Sequence, residues 1–424
     1  MKTEIFDYGM NGEGVGKINN IITLVPYCLK NEIVDVEIEK DTKNLKFAKL
    51  NKILTQSTNR TSPICPYFYD CGGCQLQHFK YDEQLEFKRL LVKKTIKKIC
   101  NIDVEVNPTV ASDKIFNYRN KASFNYLNNK SGFFKENSKE IVEINNCNIC
   151  QDNINLIHLL FNDFINKEKL TEFVKNLVIR EIENQILVGV VVKSDINLST
   201  FYQVLSGKFN KIGLYKIINN RKDSVVLSGK FIHVGGIKEI QINNFNLNYS
   251  VDLFSFHQTN INIQNKIYSK VLDYISPNSI VINGFSGQGL LSAILASKAK
   301  QVYGIEINES SHISAEKLKK DNHITNLNNQ LGDFNKIYPK LIKKSNTLIL
   351  DPSKKGCGKD VMKGIIGVEN IIYISCNPIA LCKDINIIKE HYDVIEITPF
   401  DMFPNTKNVE TLIILKIKNE NSLK

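Results

Sequence analysis

The sequence predicts an α/β protein. A doubly wound, Rossmann-like parallel sheet occupies the C-terminal part, preceded by a small N-terminal β-barrel and a central α+β domain. Three observations carry this. From about residue 251, apolar strand-length runs alternate regularly with stretches of helical spacing. Residues 1 to about 57 hold only short strand-like runs broken by turns. The longest apolar stretch, Ile186 to Val192, is strand-sized, so nothing approaches the roughly 18 residues of a membrane span. At 42% hydrophobic and 23% charged, the 424 residues have the balance of a globular chain rather than a disordered one. The boundaries expected are 1–57, 58–250 and 251–424.

In the first unit, Gly12-Glu13-Gly14-Val15-Gly16 is a turn-rich start and Ile21 to Val25 a strand. Glu32 to Ile38 alternates with period two, as a half-buried strand does, and Phe47 to Leu54 closes the set. Five short strands of this kind suggest an OB-like barrel, an architecture used for oligonucleotides and also for protein docking. In the second unit Asp82 to Lys98 is lysine-rich with helical apolar spacing, and Leu187 to Val192 reads as a buried strand. In the third, the strands Ser279–Asn283, Gln301–Glu306, Thr347–Asp351 and Ile371–Cys376 alternate with helices at Leu290–Ala299 and Ser314–Asp321. Ligands of such sheets bind at the carboxyl ends of the strands. Glu306, Asp351 and Cys376 each close one of these predicted strands.

The turn Gly284-Phe285-Ser286-Gly287-Gln288-Gly289 has the order G-x-x-G-x-G, not the G-x-G-x-x-G of dinucleotide sites. That spacing is commoner where S-adenosylmethionine binds. Glu306, about 20 residues on, is placed to accept hydrogen bonds from a ribose diol. Asp351-Pro352 holds a carboxylate at the crevice, or simply caps a helix. Ser375-Cys376-Asn377-Pro378 puts a thiol before a helix N-terminus, where a lowered pKa and a nucleophilic role are expected; an inert core thiol is the alternative. Glu410 opens the apolar run Thr411 to Leu415 and is a candidate general base, or a strand-edge glutamate.

The ten cysteines are not spaced as a disulfide framework. Cys65, Cys71 and Cys74 lie close together, with Cys147 and Cys150 further on. The pairs Cys71/Cys74 and Cys147/Cys150 are too far apart for a zinc ribbon, which would also leave Cys65 unused. An iron–sulfur cluster suits the pattern better. The net charge of +11 is almost all lysine, with arginine only at positions 60, 89, 119, 180 and 221. Such charge suits phosphate backbones, and equally reflects a Lys/Asn/Ile-rich composition. The N-terminus carries no apolar signal region, so a cytoplasmic protein is expected, and the absence of heptads suggests a monomer.

Together these motifs resemble the SAM-dependent RNA 5-methyluridine methyltransferases, specifically the iron–sulfur branch acting on 23S ribosomal RNA. The resemblance runs along nearly the whole chain. Gly12 to Ile38 is similar to its TRAM domain, an RNA-binding barrel. Cys65-Pro66 and Cys71-Gly72-Gly73-Cys74-Gln75-Leu76-Gln77-His78 resemble its cluster motif, and Tyr118-Arg119-Asn120-Lys121-Ala122 its central domain. The resemblance implies a [4Fe-4S] cluster on Cys65, Cys71, Cys74 and Cys147, with Cys147 preferred to Cys150. Ser255-Phe256-His257-Gln258-Thr259-Asn260 is similar to the family's S-F-F-Q-x-N. It implies cofactor contacts from Gln258, Phe285, Glu306, Asp351 and, on the adenine side, Asp333. Cys376 and Val409-Glu410-Thr411 match the nucleophile and base motifs. Asn283 and Ser286 depart from the family's D-x-Y/F-C-G, His257 replaces a Phe, and Lys407-Asn408 lacks its usual His.

The chemistry implied starts with Cys376 adding to C6 of uracil, so that C5 attacks the methyl group and Glu410 then removes the C5 proton. The base must leave its stack to reach the thiol. Three rival readings stand beside 23S methylation: the same chemistry on the tRNA T-loop uridine, a silent RNA-binding or assembly factor, and an iron–sulfur oxidoreductase. The family's dedicated bacterial tRNA enzymes usually lack both the barrel and the cluster, which is the argument for 23S rRNA.

Overall fold

The first strand of the chain is split, and the split closes a barrel. A computed structural model describes residues 1–418 apart from 222 and 224. Strand β1 (Lys2–Glu4) pairs with β5 (Ile33–Asp41), whereas β2 (Asp7–Tyr8) pairs with β3 (Gly14–Ile18). β4 (Ile21–Val25) and β6 (Leu45–Thr55) complete the order β1-β5-β6-β4-β3-β2. Between β1 and β2, Ile5 turns fully inward and Phe6 N–H donates to Val15 O at 2.9 Å. The period-two alternation of β5 puts Val34 and Val36 inside with Ile18, Val25 and Ala48. A buried clamp closes the barrel's exit. Glu32 takes both Arg60 Nε (2.6 Å) and Arg60 Nη2 (2.8 Å), while Arg60 Nη2 also reaches Tyr27 O (2.7 Å).

Helix α1 (Tyr81–Cys100) has acids Asp82 and Glu83 in its first turn and Lys97 and Lys98 in its last, both favourable to the helix dipole. Asn101 ends it in a left-handed conformation, φ 53°. Its buried stripe, Gln84, Phe87, Lys88, Val92, Thr95, Ile96 and Cys100, follows helical spacing. The C-terminal half of that stripe packs on the C-terminal domain rather than on the central one, while Phe87 packs with Tyr8 and Phe79. Val92, Ile96 and Cys100 share a core with Ile371, Leu381 and Ile385.

The central sheet comprises β7 (Lys121–Leu127), β8 (Lys130–Phe134), β9 (Ile141–Glu143), β10 (Val174–Ile182), β11 (Gln185–Val192), β12 (Ile212–Ile218) and β13 (Lys230–Gly236). Its order is β13-β12-β11-β10-β7-β8-β9, with only β11 and β12 parallel. Helices α2 (Asp152–Lys167) and α3 (Ser199–Ser206) cover one face through Phe161 and Phe201. The other face, with Val178, Leu187 and Val191, meets the hairpin β14 (Ile240–Asn244) and β15 (Leu247–Val251) and helix α4 (Ile261–Asp273). Covered on both faces, all eight residues of β11 are buried, which explains its unbroken apolar run.

The C-terminal domain has the doubly wound sheet the sequence predicts. In chain order come β16 (Ile280–Gly284), α5 (Leu290–Ala296), β17 (Gln301–Glu306), α6 (Glu309–Asp321), β18 (Leu327–Leu331), α7 (Phe334–Leu341), β19 (Thr347–Leu350), α8 (Lys359–Gly364), β20 (Asn370–Ser375), α9 (Pro378–Ile388), β21 (Tyr392–Phe400) and β22 (Glu410–Ile417). The order is β18-β17-β16-β19-β20-β22-β21, parallel except for β22, which is antiparallel to both neighbours. The winding reverses between β16 and β19, the position where such sheets open a crevice. Among the described residues no helix is long and apolar enough to cross a membrane.

One buried ion pair ties α1 to this domain. Lys88 and Asp401 meet with both side chains fully buried, and Lys88 Nζ also donates to Phe403 O at 3.0 Å. Burial holds the Lys88 ammonium below its ordinary pKa, with Asp401 pulling the other way. Removing one partner strands the other charge. Lys88→Met is therefore expected to destabilise the protein by about 3–5 kcal/mol. A second change, Asp401→Leu, should recover much of that loss, as read from denaturant midpoints of the single and double variants.

Candidate active site

Strand register lines up the candidate residues. Gly284 sits opposite Ile305 on one side and Leu350 on the other. The next residues along the edge are therefore Phe285, Glu306 and Asp351. Glu306 closes its strand as expected, whereas β19 and β20 stop one residue earlier, at Leu350 and Ser375. Asp351 and Cys376 thus stand just beyond the sheet. Ser375 pairs with Thr411 across the antiparallel β20–β22 ladder. One step further along that register, Cys376 faces Glu410.

The nucleophile turn is held by its own neighbours. Asn377 caps α9 by accepting from Ile379 N–H (3.1 Å) and Ala380 N–H (3.4 Å), and Pro378 takes the first helical position. Asn377 N–H donates to Ser375 Oγ at 3.1 Å, and Asn377 Nδ2 donates to Lys354 O at 2.9 Å. The buried Asp384 fixes the loop after β19, accepting from Cys357 N–H (2.7 Å), Gly358 N–H (3.1 Å) and the Tyr373 hydroxyl (2.6 Å).

The thiol is not activated in the way the helix N-terminus suggested. Burial pushes the Cys376 pKa up to about 11, and the charges of Glu410 and Asp351 push the same way. Lys354 opposes them and is outweighed. Burial likewise raises Asp351 to about 7 and holds Glu410 well above the usual carboxylate range, with Asp351 adding to the effect. Asp351 keeps some exposed surface yet is enclosed by protein, while Glu410 is only 4% exposed. Tyr268, on α4, stands within electrostatic reach of both carboxylates.

The nucleoside side of the crevice fits its expected ligand. Glu306 reaches back over the glycine turn, accepting from Gly287 N–H (2.8 Å) and Asn308 N–H (2.7 Å). Gly287 has φ +54°, and a Cβ there would meet no atom within 4 Å, so the turn leaves open space beside the acid. Phe285 packs against Phe334, with ring centroids 5.0 Å apart. Asp333 caps α7 through Asn335 N–H at 2.9 Å. Asn283, where the resemblance expects Asp, donates to Ser292 Oγ at 2.8 Å and leaves its own Oδ1 buried without a partner. The Gln258 loop is carried by the central sheet. Arg180 donates to Asp252 O (2.9 Å) and Ser255 O (2.7 Å), and Asn120 Nδ2 donates to Gln258 O (3.0 Å).

Cys65, Cys71, Cys74 and Cys147 line one cavity of about 270 Å³ with Cys150, walled by Phe68, Phe133 and Phe134. The loops that bring them there are fixed by backbone bonds, Cys71 N–H to Tyr67 O (2.8 Å) and Gly72 N–H to Phe134 O (3.0 Å). A Cβ at Gly72 would lie 2.9 Å from Glu136 N, so only glycine allows this approach. Asn155 brackets Cys147, accepting its N–H (2.8 Å) and donating to its carbonyl (3.1 Å). The neighbouring Cys147 and Cys150 thiols influence each other, which favours the thiolate at Cys147 and the thiol at Cys150. Among the described residues no three Cys, His, Asp or Glu side chains converge as ligands of a single metal ion. Several irons need thiols gathered around one space, and the cavity brings five together without distinguishing Cys147 from Cys150.

Lys354, Tyr268 and Asp384 were missed by the sequence reasoning. Lys354 had one visible signal, a base three residues after the strand-ending acid. The other two reach the site through packing alone.

The fold and crevice define a SAM-dependent methyltransferase. A family model described as tRNA (Uracil-5-)-methyltransferase matches residues 333–418, and one for the TRAM domain matches residues 4–50. An uncharacterized RNA methyltransferase of Clostridium acetobutylicum is 34% identical, covering 97% of this chain and 96% of the relative. Another, from Clostridium tetani, is 32% identical over 96% and 94%. The crystal structure of the Pyrococcus abyssi tRNA (uracil-54, C5)-methyltransferase with S-adenosyl-L-homocysteine superposes with a TM-score of 0.79. It is 26% identical, over 98% of this chain and 99% of that one. The chain belongs to the SAM-dependent RNA uracil-5 methyltransferase family. A tRNA enzyme thus aligns along almost the whole of this chain, the barrel region included.

The electrostatics give a direct test at the thiol. Alkylation of Cys376 by iodoacetamide should rise with pH toward a midpoint near 11 in the free enzyme, distinguished from the other cysteines by peptide mapping. Glu410→Gln removes a like charge and should lower that midpoint; Lys354→Met removes the opposing charge and should raise it.

Proposed function

We propose that this protein transfers a methyl group from S-adenosylmethionine to C5 of a specific uridine in 23S ribosomal RNA. The register that sets Cys376 opposite Glu410 carries the reading. The cofactor supplies an electrophilic methyl group on a sulfonium. Cys376 adds to C6 of an extruded uracil, which makes C5 carbanionic enough to be methylated. Glu410 then takes the C5 proton, the C5=C6 bond re-forms, and the thiolate leaves. A carboxyl whose pKa is raised by burial is suited to accept that proton near neutrality.

Gln258, Phe285, Glu306 and Asp333 hold the cofactor in this reading, and Asp351 faces the reacting uracil or the sulfonium. Glu306 is assigned to the ribose diol, since it borders the open space at Gly287. Cys65, Cys71, Cys74 and Cys147 hold a [4Fe-4S] cluster with a folding and RNA-shaping role and no redox step. The shared cavity of these four side chains supports that assignment. The barrel and the lysine-rich surface serve RNA phosphates. A second reading, methylation of a tRNA uridine, is favoured by the Pyrococcus neighbour.

Mass-spectrometric mapping of 5-methyluridine decides the substrate. In a strain carrying Cys376→Ala, one or two 23S uridines should lose their methyl group. Loss confined to tRNA would select the second reading, and no loss anywhere would end the enzymatic one. For the cysteines, anaerobically purified protein should contain iron and sulfide, with Cys147→Ser losing both and Cys150→Ser retaining them.

A further inference from the structure

The segment between β21 and β22 delivers Glu410 to the crevice, and it is anchored by residues far away in sequence. Its node is Asn405, 2% exposed and in the left-handed region at φ +68°. Asn405 N–H donates to Gln84 Oε1 at 2.8 Å, and Gln84 Nε2 returns a bond to Asn405 Oδ1 at 3.2 Å. Asn405 Nδ2 donates to Ile115 O at 2.7 Å. Its carbonyl accepts from Gln75 N–H (3.0 Å) and Leu76 N–H (2.9 Å), directly after Cys74. Every polar group of Asn405 is thus engaged within the protein, so the residue acts on other parts of the fold and not on a ligand.

The remaining chain to Glu410 is locked as well. Thr406 Oγ1 donates to Phe403 O (2.9 Å) and accepts from Asn408 N–H (3.3 Å), and Lys407 N–H donates to Gln75 Oε1 (3.4 Å). The nucleophile is fixed by a different set of contacts, from Ser375, Asn377 and the loop of Lys354. Beyond the β20–β22 ladder that they share, Glu410 and Cys376 therefore meet in one crevice on separate supports.

We propose that the Gln84–Asn405 amide pair positions Glu410 for the proton-removal step specifically, and ties that step to the cysteine-rich loop through Gln75 and Leu76. This rests on the reading of Glu410 as the base. In that step the adduct has Cys376 Sγ bonded to C6 and the new methyl on C5. The Glu410 carboxylate takes the C5 proton. The C–H electron pair forms C5=C6, and the C6–S pair returns to sulfur as the thiolate. Thiol addition and methyl transfer precede this and do not use Glu410. Displacing the Glu410 support should slow elimination and leave the earlier steps running. A misplacement of about 1 Å in such a group is worth on the order of a hundredfold in rate.

The test uses Gln84→Met, which keeps side-chain volume and removes both amide bonds to Asn405 together with the Gln84 Nε2 bond to Phe79 O at 3.2 Å. The full-length variant is incubated with labelled S-adenosylmethionine and an unmodified transcript carrying the uridine mapped above. Methyl incorporation in a single turnover is expected to stay within about threefold of wild type. The denaturant-stable protein–RNA adduct should accumulate, with release of methylated RNA slowed roughly ten- to hundredfold. If incorporation and release fall together, or neither changes, the positioning role is wrong. Should Gln84→Met fail to fold by thermal melt, Gln75→Ala, which removes only the bonds to Gly72 O and Lys407 N–H, is judged by the same criteria. Glu410→Gln is the control. If it traps no adduct, the base assignment itself falls; if it does and the Gln84 variant does not, only the positioning proposal falls.

Discussion

The antiparallel insertion of β22 between β20 and β21 is the constraint on which the site depends. In an all-parallel sheet, neighbouring carboxyl ends lie side by side and the residues following them diverge into loops. Here β22 begins where β20 ends, so the first residue of one strand is set against the residue that follows the other. The ladder between them fixes that pairing to a single register, because a slip by one residue would turn Thr411, Ile413 and Leu415 out of their places in the sheet. A thiol and a carboxylate are thereby brought face to face by the backbone hydrogen bonds of the ladder.

Holding Glu410 at the start of a strand moves the problem to the segment before it. Residues 401–409 form an irregular connection that is largely buried, and a buried loop must find partners for its backbone polar groups. They come from α1, from the cysteine-rich loop and from Tyr118, whose hydroxyl donates to Pro404 O at 3.1 Å. The fully buried Lys88–Asp401 pair sits in the same segment. Such a pair contributes little net stability beyond what a well-packed apolar pair would, yet it makes any other seating of α1 expensive. The three regions of the chain are thus locked around the loop that carries Glu410.

The doubly wound domain was legible because strands such as β19 and β20 are buried on both faces and so read as apolar runs, each leading directly to a residue of the crevice. The barrel was legible from short alternating runs, although the split of its first strand was not, since two- and three-residue strands carry no period. The stripe on α1 announced burial without saying against what, and its partners lie about three hundred residues away in the chain. The same distance hid Asn405, which reads as a turn residue. The direction of the thiol shift was misread for a related reason. The helix N-terminus is visible in Ser375-Cys376-Asn377-Pro378, whereas the two carboxylates that oppose it come from other strands. The substrate RNA is written in none of these features, because phosphate contacts made by lysine carry no sequence information.

The raised thiol has a consequence for the order of events. Burial and the charges of Glu410 and Asp351 favour the neutral thiol of Cys376. A cysteine in that state is a poor nucleophile and is protected from adventitious oxidation. The Lys354 charge acts the other way, helped by a backbone hydrogen bond, and is outweighed. Any positive charge entering the crevice acts with the sign of Lys354 and draws the thiol toward the thiolate. Protonation of Asp351, whose pKa is pushed up to about 7, removes one of the opposing charges as pH falls through neutrality. The sequence alone suggests a thiol activated by the helix N-terminus; in the packed structure burial and two carboxylates act on Cys376 in the opposite direction.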